Sequence, residues 1–239
     1  MTKVVCDSYV VGDFFDEITR FDNGTFDLVE IDPPYAINLA AKKKGNTCDG
    51  YNEIDGANYS DFMTRTLAAA YDKLKPNGWV ICWFGPDPWY SMLRDILETL
   101  HFGTTGLVGI WAKGQETDDV ISSACGQTHM PNSRLANAYE MFYYAWKGKQ
   151  ELNKPGTSNL FGCVPTPHKR KWHPTQRPRP LIRSLLTTFC PPGSRVLVPF
   201  AGSGETMISA FKEKMIPVGF DLNGIYKDGF VIEVGKEFK

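Results

Sequence analysis

The sequence predicts an α/β layered fold, and three observations carry that prediction. Short β-prone runs alternate with stretches of helical spacing along most of the 239 residues. One segment, RVLVPFAGSGETMISAFKEKMIPVGFD (195–221), reads as strand, glycine turn, helix and second strand in direct succession. The composition, 42% hydrophobic and 22% charged, is that of an ordinary globular chain with enough apolar residues for a sizeable core. The length is read as one domain, 1–239.

In chain order, Val4–Val11 is a short β-prone run and Phe26–Ile31 (FDLVEI) a second, stopped by Asp32-Pro33-Pro34. Ala36–Asn58 lacks periodicity and holds Lys42, Lys43 and Lys44, as a long functional loop would. Ser60 then reads as a helix N-cap. Phe62, Met63, Leu67, Ala70, Tyr71 and Leu74 repeat at helical spacing, and Lys75-Pro76-Asn77-Gly78 ends the run. Trp79–Phe84 is a buried strand, Pro88–His101 a helix and Leu107–Ala112 a strand. A polar loop, Lys113–Asn137, leads to the strand Glu140–Trp146. Lys149–Pro178 is rich in Pro, Gly, Asn, Lys and Arg and shows no regular element. Leu181–Phe189 reads as helix, Arg195–Phe200 as strand, Ser203–Lys214 as helix and Pro217–Asp221 as strand, with Phe230–Val234 a last edge strand.

Charge and cysteines narrow the function classes. The net charge is −1, yet Asp13–Asp32 holds seven acids against Arg20, and His168–Arg183 holds six Lys/Arg and no acid. A near-neutral chain with one basic stretch can still grip a polyanion locally. No two of the six cysteines make a CxxC pair, and the four histidines show no metal-ligand spacing, so no metal is expected. No apolar run reaches the roughly 18 residues of a membrane helix. The opening MTKVVCDSYVVGD resembles neither a secretory nor a transit leader, so a cytoplasmic location is expected, bacterial or in the host of a phage.

Two motifs carry chemistry. In the 195–221 unit, Gly202 and Gly204 open a helix whose first N–H groups are free, and a ligand can approach the backbone closely. Asp221 closes the next strand, where an acid can accept bonds from both hydroxyls of a ribose. A dinucleotide fingerprint needs a third glycine where Met207 stands, and no Gly-Lys-Ser/Thr phosphate loop is present. The unit therefore suits S-adenosylmethionine, which has no phosphate to cradle. The second motif is Asp32-Pro33-Pro34-Tyr35. Its prolines stiffen the chain and remove two N–H donors. A carboxylate, fixed carbonyl acceptors and an aromatic face converge at a strand's end, as a planar base with an exocyclic amine requires.

Together these residues resemble the amino-group DNA methyltransferases, the adenine-N6 and cytosine-N4 enzymes that use S-adenosylmethionine. Here Asp32-Pro33-Pro34-Tyr35 comes first, then His173-Pro174-Thr175-Gln176-Arg177-Pro178, then Phe200-Ala201-Gly202-Ser203-Gly204, an order similar to the β-class. The resemblance implies a Rossmann-like methyltransferase fold with circularly permuted motifs, a mostly parallel central sheet and helices on both faces. It implies a catalytic corner of Asp32, Pro33, Pro34 and Tyr35. It implies cofactor contacts from Asp13 and Phe14, from Asp32, from His173, Thr175 and Gln176, from Phe200 to Thr206 (Ala201, Gly202, Ser203, Gly204 and Glu205 included), and from Asp221, Leu222 and Asn223. Glu140-Met141-Phe142 resembles the strand that lines the target pocket. The chain departs from the family with Val198 for the usual acid before Pro199-Phe200, Glu205 for the common threonine, and Arg177 for the common lysine.

The chemistry implied is direct transfer. Asp32 and the Pro33 carbonyl would accept the amine's N–H bonds and favour a pyramidal nitrogen, so that its lone pair attacks the sulfonium methyl. Base flipping is then required, with Tyr35 stacking on the flipped ring. Lys42, Lys43, Lys44, Lys169, Arg170, Lys171, Arg177 and Arg179 are candidates for DNA phosphate contacts. The loop 36–58 and the segment 147–178 are the candidate recognition insertions. By the same resemblance, in which the cytosine-N4 enzymes more often place serine at the head of the corner, Asp32 implies a flipped adenine in duplex DNA. A cytosine-N4 enzyme, an RNA base methyltransferase and a non-catalytic nucleic-acid-binding subunit stay open as alternatives, as does a homodimer.

Overall fold

The computed structural model describes residues 2–36, 54–114, 116–117, 120–121, 132–133, 135–173 and 175–238. An eight-stranded sheet forms the middle layer. In chain order its strands are β1 (Tyr9–Val11), β2 (Phe26–Ile31), β3 (Leu74–Phe84), β4 (Val108–Ala112), then, past a two-stranded ribbon of β5 (Glu116–Thr117) and β6 (Val120–Ile121), β7 (Tyr139–Trp146), β8 (Leu160–Gly162), β9 (Arg195–Val198) and β10 (Ile216–Asp221). Their order across the sheet is β1-β10-β9-β2-β3-β7-β4-β8, and all but β7 run the same way.

The central strands read as near-continuous apolar runs because both faces are covered. Leu28, Ile81, Trp83, Val196 and Val198 pack on one face against helices Arg179–Phe189, Glu205–Lys212 and Gly224–Glu237. Val29, Ile31, Val80, Cys82 and Leu197 pack on the other against Tyr59–Lys73 and Pro86–Thr99. Met63, Leu67 and Ala70 turn the inner face of Tyr59–Lys73 toward the sheet at helical spacing.

This architecture sets the place of the site. From β9 the chain crosses to β10 on one side, and from β2 it crosses to β3 on the other. Connections leave the sheet in opposite directions between β9 and β2, and a crevice opens there at the carboxyl ends of the strands. Among the described residues no helix is long and apolar enough to cross a membrane.

The structure corrects several elements. Phe230–Val234 belongs to a helix, Gly224–Glu237, in which Tyr226, Phe230 and Val234 fall four apart and are buried. The exposed Val231 and Ile232 between them imitate a strand's apolar run. Val4–Val11 divides into a helix, Thr2–Asp7, whose Val5 is buried, and the short strand Tyr9–Val11. Lys75–Gly78 extends β3 instead of ending a helix. Ser60 is not the N-cap; Tyr59–Lys73 follows a 3-10 turn capped by Asp55, whose carboxylate accepts from the Ala57 N–H at 3.1 Å. The stretch 149–178 contains β8, which adds a parallel edge strand to β4, and the 3-10 turn His168–Arg170.

Candidate active site

Four adjacent parallel strands, β1, β10, β9 and β2, end at one cavity of about 490 Å³. Each delivers a polar or turn-forming residue at its carboxyl end: Asp13 after β1, Asp221 on β10, the 199–204 turn after β9 and Asp32 after β2. His173, Thr175, Gln176 and Arg177 also line the cavity.

The glycine turn is fixed from three sides. Gly204 stands in the left-handed region (φ +72) at the N-cap of Glu205–Lys212, and a Cβ there would overlap the ring of Phe230. That position requires glycine on both counts. The Tyr9 hydroxyl donates to the Gly202 carbonyl at 2.9 Å, and Trp172 Nε1 donates to the Ser203 carbonyl at 3.2 Å. Asp221 accepts from the N–H of Gly202 at 2.8 Å and of Asn223 at 2.9 Å. Burial holds the Asp221 carboxyl above its ordinary range against those two bonds.

Aromatic rings surround the far end. Phe14 meets Phe200 edge-on at 6.0 Å, Phe62 lies 5.5 Å from Phe200, and Arg65 sits 4.2 Å over the ring of Phe15. Asp13 caps the short helix Phe14–Glu17 by accepting from the Phe15 N–H at 2.7 Å. The result is a flat apolar slot with a carboxylate at its rim.

At the other end stands the 32–35 corner. The Tyr35 hydroxyl donates to Asp32 Oδ1 at 2.9 Å. Arg177 donates to Asp32 Oδ2, to the Tyr35 hydroxyl at 2.6 Å and to Glu140 at 3.1 Å. Lys113 also pairs with Glu140, at 2.9 Å. Burial raises the Asp32 carboxyl, while the Arg177 guanidinium opposes the rise. Glu140 is partly buried, and its desolvation is outweighed by Arg177 and Lys113, which hold it below its usual range. Two residues before Asp32, on the same face of β2, Glu30 is buried under the cavity floor. Burial and the nearby Asp32 push it up to about 7. His173 packs against the Tyr226 ring at 4.3 Å, and burial lowers it to about 4, so it is neutral at physiological pH.

The family model of the DNA methylases, the N6/N4 methyltransferases, matches residues 26–232. The chain belongs to this family. Type II methyltransferase M.HpaI of Haemophilus parainfluenzae is 25% identical over 234 residues, covering 92% of this chain and 70% of that protein. Two solved structures share the fold. The M1.HpyAVI–SAM complex superposes with a TM-score of 0.72 at 20% identity, covering 97% of this chain and 98% of its own. The cytosine-N4-specific PvuII DNA methyltransferase superposes at 0.71 with 16% identity, covering 96% and 90%.

In this methylase the cavity wall takes in Asp13, Phe14, the whole 32–35 corner, His173, Thr175, Gln176, Phe200–Ser203, Glu205, Thr206, Asp221 and Leu222. Gly204 lies one layer behind the wall, and Asn223 caps Gly224–Glu237 by accepting from Ile225 N–H at 3.0 Å. Glu205 is tied up: it accepts from Gln176 at 2.8 Å and from Arg179 at 2.8 Å.

Two of the basic residues expected at DNA phosphates are held in internal ion pairs. Arg177 is buried among Asp32, Tyr35 and Glu140. Arg179 is bound by Glu205, Glu233 and Glu237. A phosphate could reach either only by breaking internal ion pairs. Lys169 and Arg170 are exposed, and Lys171 is half-buried. Lys42, Lys43, Lys44 and Pro174 lie outside the described residues. Sequence reasoning missed Glu30, the Phe62–Arg65 wall and Tyr226. Glu30 did leave a signal, as a charge inside FDLVEI on the face shared with Asp32.

Proposed function

We propose that this chain is a site-specific DNA methyltransferase that transfers a methyl group from S-adenosylmethionine to the exocyclic N6 amine of a flipped-out adenine. The observation that carries the reading is the meeting of the 32–35 corner and the 199–204 turn across one cavity. The cavity lies within the ~300–1,000 Å³ usual for small-molecule sites.

The residues present suit the cofactor. The aromatic slot with Asp13 at its rim matches an adenine ring and its amine. Asp221 keeps lone pairs on both oxygens for ribose hydroxyls. His173, Thr175 and Gln176 face the turn from the opposite side. When bound, the cofactor supplies an electrophilic methyl on a sulfonium. Every other contribution is the chain's. Asp32 and the Pro33 carbonyl accept the N–H bonds of the target amine and direct its lone pair. Tyr35 stacks on the base and holds Asp32 in place. The phenylalanine wall excludes water. Positioning and fixed dipoles do the catalytic work, and no residue becomes covalently attached. The base must leave the duplex to reach the corner, at a cost of a few kcal/mol.

The same corner would accept the N4 amine of a flipped cytosine, which is the second reading. Labelled-methyl transfer to unmethylated duplex DNA, with nucleosides identified after digestion, separates the two. N6-methyladenine from the wild type and none from Asp32→Ala is the expected result. N4-methylcytosine would move the substrate to the second reading. No product from duplex DNA, single-stranded DNA or RNA would overturn catalysis in favour of a nucleic-acid-binding subunit.

A further inference from the structure

Glu30 is a buried carboxylate that forms no ion pair among the described residues. It is 3% exposed and lines the cavity. Trp83 Nε1 donates to Oε1 at 2.7 Å and the Thr206 hydroxyl donates to Oε2 at 3.1 Å. Both donors are neutral, and no ion pair among the described residues includes Glu30. Arg177 lies nearby, but its Nη1 and Nη2 bind Asp32, Tyr35 and Glu140, its buried Nε makes no hydrogen bond, and no part of it pairs with Glu30. Three other acids around the cavity are partnered differently. Glu205 is bound by Arg179 and Asp32 by Arg177, while Asp221 accepts two backbone N–H groups. A buried carboxylate without a cation is costly, so such a group is either protonated or completed by a ligand.

We propose that Glu30 binds the α-ammonium of the S-adenosylmethionine held in this cavity. The proposal rests on the cofactor reading above. Two features select the ammonium over the sulfonium. The two neutral donors leave each carboxylate oxygen a free lone pair, and an ammonium brings N–H donors for them whereas a sulfonium brings none. Glu30 also sits below the first turn of Glu205–Lys212, beside the 199–204 turn, and so on the glycine-loop side of the reacting corner. Val198, across from it on β9, is apolar and offers no competing acid.

The groups that face Glu30 fix how this contact responds to pH. Asp32, just past the end of the same strand, raises it and Arg177 lowers it. Trp83 and Thr206 lower it through their bonds, and the Cys82 thiol lies close on β3. With Glu30 near 7 in the free protein, part of the population carries the proton at pH 6.5. Binding an ammonium then drives that proton off, and affinity rises between pH 6 and 7.5.

Isothermal titration calorimetry of the full chain tests this with S-adenosylmethionine, S-adenosylhomocysteine, which keeps the ammonium but has no sulfonium, and 5′-methylthioadenosine, which has neither. Glu30→Gln retains acceptors for Trp83 and Thr206. The expected result is a roughly 10-fold weaker Kd for the first two ligands and no change for the third. Wild type should release protons on binding at pH 6.5, read from two buffers of different ionisation enthalpy, and the variant should not. Should the variant not fold, the wild-type affinities decide, and S-adenosylhomocysteine binding no tighter than 5′-methylthioadenosine overturns the proposal. Weakening confined to S-adenosylmethionine would assign Glu30 to the sulfonium and overturn the ammonium contact. Unchanged binding of all three overturns Glu30 alone. No binding of S-adenosylmethionine by the wild type overturns the cofactor reading, and this proposal with it.

Discussion

Arg177 brings its guanidinium to the carboxylate of Asp32 across 145 residues of sequence, and its central carbon lies 3.9 Å from the centre of the Trp83 ring. The Trp83 indole in turn donates to Glu30 at 2.7 Å. One cation therefore organises the reacting corner and lies beside the buried acid at the cavity floor. Its fork also binds Tyr35 and Glu140, a geometry an ammonium cannot reproduce. The arginine standing where the family commonly has lysine thus serves the interior of the site.

Removing that cation should cost about 1–3 kcal/mol, because the partly buried Asp32, its side chain 24% exposed, loses its partner. The sign with pH follows from the raised carboxyls. Burial lifts Asp32 above its ordinary range and Glu30 to about 7, so their ionisation works against the folded state as pH rises. Arg177 offsets this. Arg177→Met should therefore lose more melting temperature relative to wild type at pH 8 than at pH 5.5. A deficit independent of pH would assign the loss to packing over Trp83 instead of charge.

The proposed mechanism gives Tyr35 two separable functions. Its hydroxyl links Asp32 to Arg177, and its ring is available to stack on a base. Tyr35→Phe keeps the ring and should lower kcat a few-fold through a looser Asp32. Tyr35→Ala also removes stacking worth about 1–3 kcal/mol, and should lower kcat/KM by roughly 10- to 100-fold beyond the phenylalanine variant. Equal kinetics for the two would assign Tyr35 to holding Asp32 alone.

Much of this site was legible because its local chemistry is explicit. Two prolines after an apolar strand, and glycines between a strand and a helix, can be read without knowing the fold. The sheet was legible where strands are buried on both faces, as in FDLVEI and WVICWF. It was not legible at Phe230–Val234, where exposed Val231 and Ile232 fill the gaps between buried helical positions. Nor do Arg177 and Arg179 reveal in sequence that acids from β2, β7 and two helices surround them. Their partners lie between 26 and 145 residues away, and a local reading can see only a basic stretch.

Gly204 and Gly24 separate backbone strain from collision. Both have positive φ, +72 and +70, but nothing lies within 4 Å of a Cβ built on Gly24. Gly24→Ala should cost only the left-handed penalty, about 1–2 kcal/mol. Gly204→Ala adds overlap with Phe230 and should lower the melting temperature further. It should also weaken S-adenosylmethionine binding, because the displaced turn carries the Gly202 N–H that Asp221 accepts. Equal melting shifts would mean that Phe230 moves aside freely.

The division of basic residues between surface and interior predicts how DNA binding responds to salt. Each phosphate contact contributes about 0.9 to the slope of log affinity against log salt concentration. Lys169 and Arg170 are exposed in the 168–170 turn, whereas Arg179 is held by Glu205, Glu233 and Glu237. Replacing Lys169 and Arg170 together by Gln should lower the slope by nearly 2 and weaken binding alike across sequences. Arg179→Gln should leave the slope unchanged and lower the melting temperature, since Glu205 loses its cation while buried. Fluorescence anisotropy on duplex DNA between 50 and 200 mM salt reads the slope directly. A drop of about 1 for Arg179→Gln would mean that its carboxylates release it to a phosphate in the complex. An unchanged slope for the double variant would remove the 168–170 turn from the DNA interface.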